Sequence, residues 1–231
     1  MPALSDPQLL KHLDLFRGLP TPDLIRINDL LGRTKFPAGA TILTATQPGE
    51  AAYIVMDGTL KVSVLQETGQ ELILAILGVG DVVGELSLAD RGGRSADVVA
   101  LEPTTLLWID RGSFDQLRRD IPEVTENLIR LMARRLRVAN SQLLAMATLD
   151  VHGRVARQLL LLADVYGEKL PNGDVRIPLR LTQGDLAGLV GATRVRVNEV
   201  LVGYKKRGYL SVDGRYRVTI HDRDALAAHY A

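Results

Sequence analysis

The strongest constraint on the fold is one stretch, residues 122–149, in which no glycine occurs and the only proline is the first residue. Apolar side chains recur there every three or four positions, which is the spacing of an amphipathic helix. They are Val124, Leu128, Leu131, Met132, Leu136, Val138, Leu143 and Met146. A helix of about seven turns has to bury this stripe against its own domain or against a second copy of itself. We therefore predict a dimerisation helix, which a polar replacement at Leu131 or Leu143 should break.

The chain before this helix changes character at Phe36. Residues 7–33 have helical spacing in two pieces that prolines separate. From Phe36 onward, glycines alternate with short apolar runs, and residues 59–64 alternate polar and apolar side chains as a half-buried strand does. The turn signals are Asp57-Gly58 and Thr68-Gly69. This pattern predicts helical segments followed by a compact antiparallel β-roll, sandwich or barrel.

The chain after the long helix has a third pattern. Asp150 is a good N-cap for a helix over residues 151–166, and residues 175–177 have the composition of a short strand. Two more helices are predicted to begin at Thr182 and Thr193. A hairpin then follows, with Asp213-Gly214 at its turn.

Residues 181–201 have the layout of a helix-turn-helix. Thr182 can cap the first helix, with Asp185 as its capping-box partner. Gly191 stands where the turn needs a residue that tolerates a positive φ, and Thr193 can cap the second helix. The buried side of the second helix would be Val197, Val200 and Leu201. Its N-terminal end would then be free to enter the major groove of DNA.

The exposed positions of the second helix carry the groups that DNA requires. Arginine can donate two hydrogen bonds to guanine, and asparagine can pair with adenine. Between Leu181 and Ile220 there are seven Lys or Arg residues and three carboxylates, although the whole chain has a net charge of only +1. Such a local excess of positive charge can neutralise DNA phosphates. The hairpin would contribute to it as a wing that carries Arg215 and Arg217. The predicted DNA contacts are Thr182, Thr193, Arg194, Val195, Arg196, Asn198, Glu199, Lys205 and Lys206. An ordinary helical hairpin with exposed charges is the alternative.

A second informative segment, residues 80–100, contains the groups that bind a sugar phosphate. Gly84-Glu85-Leu86 follows one apolar strand and Arg94-Ser95-Ala96 begins another, with a short polar loop between them. A carboxylate such as Glu85 suits ribose hydroxyls, and the planar fork of Arg94 suits a phosphate. Backbone N–H groups in the glycine-rich loop add affinity for an anion. A surface ion pair between Glu85 and Arg94 is the alternative explanation.

Together these segments resemble the cAMP receptor protein (catabolite activator) family of bacterial transcription regulators, from about Leu15 to Ile220. The phosphate-binding cassette of that family matches Gly84, Glu85, Leu86, Leu88, Arg94, Ser95 and Ala96. The resemblance implies that Glu85 contacts the ribose 2′-hydroxyl and that Arg94 and Ser95 hold the cyclic phosphate. It also implies that Gly84 and Leu86 line the same turn, and that cAMP is an allosteric ligand rather than a catalytic cofactor.

The long helix carries the same resemblance. Residues 132–136 are similar to the central helix of the family, which pairs with its copy in a dimer. One turn later, cAMP-responsive members have two polar residues that face adenine, and here these positions are Ala139 and Asn140. Asn140 can hydrogen-bond adenine, whereas Ala139 cannot. Arg135 is expected to be the second polar group near the ligand.

In this family the second helix of the helix-turn-helix, the recognition helix, commonly begins Arg-Glu-Thr-Val-Gly-Arg. Members of the family favour palindromes with TGTGA-like half-sites. Here the stretch from Arg194 to Glu199 is RVRVNE. Val195 offers only an apolar contact, for example to a thymine methyl group. Glu199 would repel phosphate unless it faces a cytosine amine or pairs with Arg196. We therefore expect a two-fold symmetric operator in which at least one half-site position is altered or relaxed.

Composition narrows the functional classes. The chain has no cysteine, which excludes disulfides, thiolate metal sites and a cysteine-held iron–sulfur cluster. The histidines lie outside the predicted β-roll, which disfavours haem ligation there; they are His12, His152, His221 and His229. Relatives that bind 2-oxoglutarate or cyclic di-GMP usually alter the cassette. An enzyme such as a nucleotide hydrolase is a rival, but no HExxH, GxSxG or Walker motif occurs. A second rival hypothesis is a regulator of the same fold that needs no ligand.

We predict an α+β protein in three segments. These are a cyclic-nucleotide-binding β-roll with flanking helices (1–121), a dimerisation helix and hinge (122–149), and a winged helix-turn-helix domain (150–231). The resemblance implies three partners: double-stranded DNA, a second copy of the chain and RNA polymerase. The first residues show no signal-peptide pattern and no apolar run could span a bilayer. We expect a cytoplasmic protein with no membrane partner, no metal site and no catalytic residue.

Overall fold

The computed structural model describes residues 2–45, 47–65, 71–90 and 92–230, so the turn predicted at Thr68-Gly69 lies outside the described residues. The chain divides into two compact units. The first comprises Met1–Val64 and Ile76–Val138, and the second comprises Leu65–Ala75 and Ala139–Ala231. Strands dominate the first unit and helices the second, so the predicted α+β fold class is confirmed.

The N-terminal strands form two four-stranded sheets. In the first sheet the order is β1 (Gly32–Phe36), β8 (Thr104–Asp110), β3 (Ala51–Asp57) and β6 (Val82–Val83). In the second it is β2 (Thr41–Leu43), β7 (Asp97–Ala100), β4 (Leu60–Leu65) and β5 (Glu71–Leu77). Neighbouring strands of the first sheet are antiparallel, as are β2 with β7 and β7 with β4. The predicted turn between β3 and β4 is confirmed, since Gly58 has a φ of 96°.

The helical prediction for residues 7–33 is only partly right. Two short 3-10 helices, Pro7–His12 and Asp14–Phe16, precede α1 (Thr21–Leu30). The end of the predicted helix is wrong, because β1 already begins at Gly32. Strand pairing prevails there: Gly32 lies opposite Trp108 of β8, and a Cβ atom on Gly32 would lie 2.2 Å from the indole.

Three helices complete the N-terminal part: α2 (Glu85–Asp90), α3 (Arg111–Asp120) and α4 (Pro122–Thr148). The long helix is confirmed at 27 residues. The polar loop predicted between Leu86 and Arg94 is wrong in its first part, because α2 spans Glu85–Asp90. The next strand, β7, begins at Asp97 and not at Arg94.

The N-terminal half of α4 is part of the core of the first unit. Val124, Leu128 and Leu131 are buried in one apolar cluster with side chains of α1, α3 and the first sheet. The buried amide of Asn127 donates hydrogen bonds to the main-chain oxygens of Leu15 (3.2 Å) and Arg17 (2.9 Å). Leu131 was predicted at a dimer interface, but it is 3% exposed in its own unit. A polar residue there would disrupt this core, so it cannot test dimerisation.

The second unit contains α5 (Val151–Tyr166), α6 (Gln183–Val190), α7 (Arg194–Lys206) and α8 (Arg223–Ala227). Its antiparallel sheet has the order β11 (Leu210–Val212), β12 (Val218–Ile220), β10 (Val175–Ile177) and β9 (Glu168–Lys169). Asp150 caps α5, as predicted, by accepting a hydrogen bond from the Gly153 N–H (2.8 Å). The order of α6, α7 and the β11–β12 hairpin confirms a winged helix-turn-helix.

Candidate ligand site and nucleic-acid interface

Gly84 shapes the turn between β6 and α2. Its φ is 80°, in the left-handed region that favours glycine. A Cβ atom there would lie 2.4 Å from Nη1 of Arg94 and 2.9 Å from the main-chain oxygen of Ala51. The turn therefore requires glycine, both for its backbone conformation and for the close approach of Arg94.

Arg94 is a buried cation that main-chain carbonyls hold in place. Its Nη1 donates to the Gly84 oxygen (3.0 Å) and its Nη2 to the Ala51 oxygen (2.6 Å), while the residue is only 8% exposed. Its Nε is buried without a hydrogen-bond partner among the described residues. Burial lowers the pKa of the guanidinium, because the low-dielectric surroundings disfavour its charge. An anion beside Arg94 would supply the missing partner.

Glu85 is the buried carboxylate of the same turn. It is 3% exposed, and its Oε1 accepts a hydrogen bond from Nη1 of Arg135 on α4 (2.6 Å). The other terminal nitrogen of Arg135 donates to the main-chain oxygen of Val82. The surface ion pair between Glu85 and Arg94 is therefore the wrong explanation, since both groups are buried and Glu85 pairs with Arg135.

The structure brings four of the predicted ligand residues together. Gly84, Glu85, Arg94 and Arg135 are joined by the contacts above. Of the others, Ser95 and Leu86 are exposed, Ala96 is buried, and Asn140 is exposed on the part of α4 that belongs to the second unit.

Sequence reasoning missed the groups that fix this turn. The carbonyl acceptors come from Ala51 and Val82, and Arg111 donates to the main-chain oxygens of Ser87 (2.9 Å) and Gly49. Main-chain acceptors can belong to almost any residue type, so no sequence signal marks them.

The helix-turn-helix has the predicted caps. Thr182 Oγ1 accepts a hydrogen bond from the Asp185 N–H (3.2 Å), and Asp185 Oδ2 accepts one from the Thr182 N–H (2.9 Å). Gly191 ends α6 in the left-handed region, with a φ of 60°. Thr193 caps α7 by accepting from the Arg196 N–H (3.3 Å). These local contacts fix the start of each helix.

The first turns of α7 carry an exposed, polar surface. Arg194, Val195 and Arg196 are exposed, while Asn198 is half-buried. Arg196 forms an ion pair with Glu199 (2.9 Å), which is the partner that we considered for this acid. Lys205 and Lys206 are exposed in the last turn of the helix.

The hairpin after α7 is more ordered than an Asp-Gly turn requires. Asp213 Oδ1 accepts hydrogen bonds from the N–H groups of Arg215 and Arg217, both at 2.8 Å, and these bonds lower the pKa of its carboxyl. The left-handed residue of the turn is Tyr216 (φ 61°), not Gly214. The guanidinium of Arg180 lies 5.2 Å from the centre of the Tyr216 ring.

Exposed apolar side chains form a row along α4. Ile129, Leu136 and Leu143 are 62%, 62% and 66% exposed, and they are seven residues apart. Residues at this spacing lie on one face of a helix. This row differs from the buried face that carries Val124 and Leu131. Among the described residues, no helix combines the length and the apolar character that a membrane span needs.

Comparison with known proteins agrees with this geometry. Residues 33–120 match the cyclic nucleotide-binding domain, and residues 153–229 match the Crp-like helix-turn-helix domain. The fold and these matches define a DNA-binding transcription regulator with a cyclic nucleotide-binding domain.

Individual relatives extend the match over nearly the whole chain. The CRP-like cAMP-activated global transcriptional regulator of Mycobacterium tuberculosis (strain H37Rv) is 34% identical over 220 residues, which cover 95% of this chain and 97% of the relative. The chain belongs to the Crp family of transcription regulators. The crystal structure of the Thermus thermophilus catabolite activator protein is 32% identical and covers 94% of this chain and 100% of that one, with a TM-score of 0.54. CLP of Xanthomonas campestris, a regulator described as responsive to cyclic di-GMP, shares the fold at 23% identity and a TM-score of 0.69, covering 87% of this chain and 99% of its own.

Proposed function

We propose that this protein is a cAMP-responsive dimeric transcription regulator that binds palindromic DNA when the nucleotide occupies its β-roll. Arg94 carries the proposal. It is a buried cation with an unpartnered Nε, and no carboxylate of the described residues lies within ion-pair distance of it. A buried charge is costly unless it is paired, and the cyclic phosphate of the nucleotide supplies the opposite charge.

The remaining groups of the site suit the rest of the nucleotide. Glu85 would accept a hydrogen bond from the ribose 2′-hydroxyl, and Ser95 would assist Arg94 on the phosphate. Arg135 and Asn140 would add polar contacts, with Asn140 directed to adenine. The turn itself would be lined by Gly84, Leu86 and Ala96. Two relatives support this choice of ligand: the M. tuberculosis protein is described as a cAMP-activated regulator, and the T. thermophilus protein as a cyclic AMP receptor protein.

A different ligand, or none, is the second candidate. Ala139 cannot hydrogen-bond a base, although polar residues are common at this position in cAMP-responsive members. The relative from X. campestris, described as responsive to cyclic di-GMP, shows the same fold. Calorimetric titration with cAMP, cGMP and cyclic di-GMP separates the candidates. We expect saturable binding of cAMP, and a titration without heat for all three would favour a ligand-independent regulator.

We propose that α7 lies in the major groove. Arg194, Val195, Arg196, Asn198 and Glu199 would face base edges there, whereas Thr182, Thr193, Lys205 and Lys206 would face phosphates. DNA selection with and without cAMP tests this part. We expect a palindrome whose half-sites are about one helical turn apart, the spacing common to helix-turn-helix dimers, this family included. Because the coupling between two ligands is reciprocal, operator DNA should raise the affinity for cAMP by the same factor as cAMP raises the affinity for operator DNA.

The proposed dimer rests on the exposed row of α4. Ile129, Leu136 and Leu143 are exposed apolar side chains of α4, which a second copy of α4 would bury. Leu143→Glu should therefore give monomers that bind operator poorly, whereas circular dichroism should show that the helices persist. Sedimentation of the wild type as a monomer at micromolar concentration would contradict the dimer.

The same proposal assigns no chemistry to the site. The protein would bind cAMP without turning it over and act in the cytoplasm, together with RNA polymerase. Incubation with cAMP followed by chromatography should return the nucleotide unchanged.

A further inference from the structure

One hydrogen bond between the two helices of the helix-turn-helix involves Asn198, a predicted DNA contact. Nε2 of Gln183, the first residue of α6, donates to Oδ1 of Asn198 on α7 at 2.7 Å. Asn198 comes four residues after Arg194, so both lie on the same face of α7. Both amides of the pair are half-buried. The contact therefore fixes one of the side chains that would read DNA.

The chemistry of the amide gives this contact a consequence. To pair with adenine, an asparagine must accept a hydrogen bond from the N6 amino group through Oδ1 and donate one to N7 through Nδ2. Here Oδ1 of Asn198 already accepts from Gln183. One lone pair of Oδ1 is therefore used by a neighbour on α6, whereas both N–H donors of Nδ2 stay available for DNA.

We propose that Gln183 makes Asn198 read DNA through its Nδ2 donors, so that the operator position facing Asn198 is guanine in preference to adenine. The major-groove edge of guanine has two acceptors, N7 and O6, and no donor, which matches an amino group. This inference rests on the proposed DNA-binding function, and it replaces the contact between Asn198 and adenine that residue type alone suggests. Gln183 is then a positioning residue, since it acts through Asn198.

The neighbours of Asn198 leave this role to Gln183. Val197 and Val200, which flank Asn198 in the sequence, are buried, and this packing holds α7 in place. Arg196 and Glu199 are engaged with each other. Among the described contacts of Asn198, the bond from Gln183 is the one that decides which end of the amide is engaged.

Two substitutions at position 183 test the direction of this bond. Gln183→Lys keeps a donor and has no acceptor, so Asn198 should still use Oδ1 to accept and should still select guanine. Gln183→Glu has only acceptors, so Asn198 should donate to it through Nδ2 and turn Oδ1 toward the base. The second variant should therefore switch the preferred base from guanine to adenine at the same half-site position.

The experiment is DNA selection with full-length protein and cAMP for wild type, Gln183→Lys, Gln183→Glu and Asn198→Ala. We expect wild type and Gln183→Lys to prefer guanine over adenine at one position by about fivefold or more, and Gln183→Glu to reverse that preference. Asn198→Ala should lose discrimination at this position alone. The added charges should shift total affinity in opposite directions without choosing a base, so base identity separates positioning from a general change in binding.

The outcomes separate a failure of this inference from a failure of the proposed DNA binding. A wild-type preference for adenine at that position, or an unchanged preference in Gln183→Glu, overturns the inference while DNA binding stands. If Gln183→Glu is unfolded by circular dichroism, loss of guanine discrimination in Asn198→Ala still supports the inference, and its retention still overturns it. A wild type that selects no palindrome contradicts the proposed function, and this inference falls with it.

Discussion

The two predicted binding surfaces use arginine in opposite ways. Arg94 in the cassette is buried, and two main-chain carbonyls hold it, one of them 43 positions away in the chain. Arg194 and Arg196 on α7 are exposed, and Arg196 pairs with an acid three positions away. One surface is assembled by the tertiary fold, and the other by the sequence of a single helix.

This difference predicts which properties change together. Arg94 is buried and donates hydrogen bonds to two main-chain oxygens, so it already interacts with the folded protein. Water and salt screen the exposed arginines, and their ion pairs contribute little to folding. Substitutions of the buried groups in the cassette should therefore change stability and ligand affinity together, whereas substitutions of the exposed arginines on α7 should change DNA binding alone.

The largest expected effect is that of Arg94→Ala. The phosphate of cAMP loses a charge-assisted hydrogen bond of about 1.5–3 kcal/mol, so affinity should fall by at least about tenfold. The free energy of unfolding should also fall, because the main-chain oxygens of Gly84 and Ala51 lose their donors. Calorimetry and denaturant titration measure the two effects.

Arg26→Ala is the matched control for this change. Arg26 is exposed and pairs with Asp120 at 3.0 Å in the same unit, so its removal should leave cAMP affinity unchanged. Tight binding of cAMP by Arg94→Ala would show that the ligand site is assigned to the wrong residues.

Arg194→Ala should have the next largest effect, and only on DNA. A bidentate contact to guanine discriminates by about 1–3 kcal/mol, so the variant should bind operator more weakly and accept other bases at one half-site position. Its melting temperature should match the wild type, because the side chain is exposed. A lowered melting temperature would contradict the separation between the two surfaces.

Lys205→Ala should have a smaller effect that is the same for every sequence. Removal of one phosphate contact should reduce the slope of log affinity against log salt by about 1. Binding measured at several salt concentrations on operator and on random DNA gives both quantities. A change in base preference would instead place Lys205 among the base readers.

The smallest expected effect concerns the acid stability of the wing. Hydrogen bonds from the Arg217 and Arg215 N–H groups lower the pKa of Asp213 below its usual 3.8. The stabilisation should therefore be complete above pH 3.8 and disappear as the pH falls through the lowered value. The melting temperature of wild type should exceed that of Asp213→Asn near neutral pH, and the difference should vanish in acid. A difference that grows on acidification would reverse the sign of this argument.

Local features could be predicted from sequence because neighbours along the chain form them. The caps at Thr182, Thr193 and Asp150 each use a residue within three positions, and the long helix follows from one uninterrupted apolar spacing. The helix-turn-helix belongs to this group. The boundaries proposed between the three segments, and the roles of the individual site residues, stay predictions.

Features that depend on tertiary pairing could not be predicted in this way. Gly32 continues a helical pattern in sequence, yet β8 recruits it into a strand. The partner of Glu85 is 50 positions away, and the partner of Asn198 is 15 positions away on another helix. Leu131 and Leu143 share one apolar stripe in sequence, but only packing shows that the first is buried and the second exposed.

Trp108 opposite Gly32 has a spectroscopic consequence. It is the only tryptophan in the chain, it lies in the first unit, and it is 37% exposed. Its fluorescence therefore reports on the β-sheet part alone, whereas far-ultraviolet dichroism reports on the helices of both units. Comparing the two signals during denaturation can resolve the unfolding of each unit without any added label.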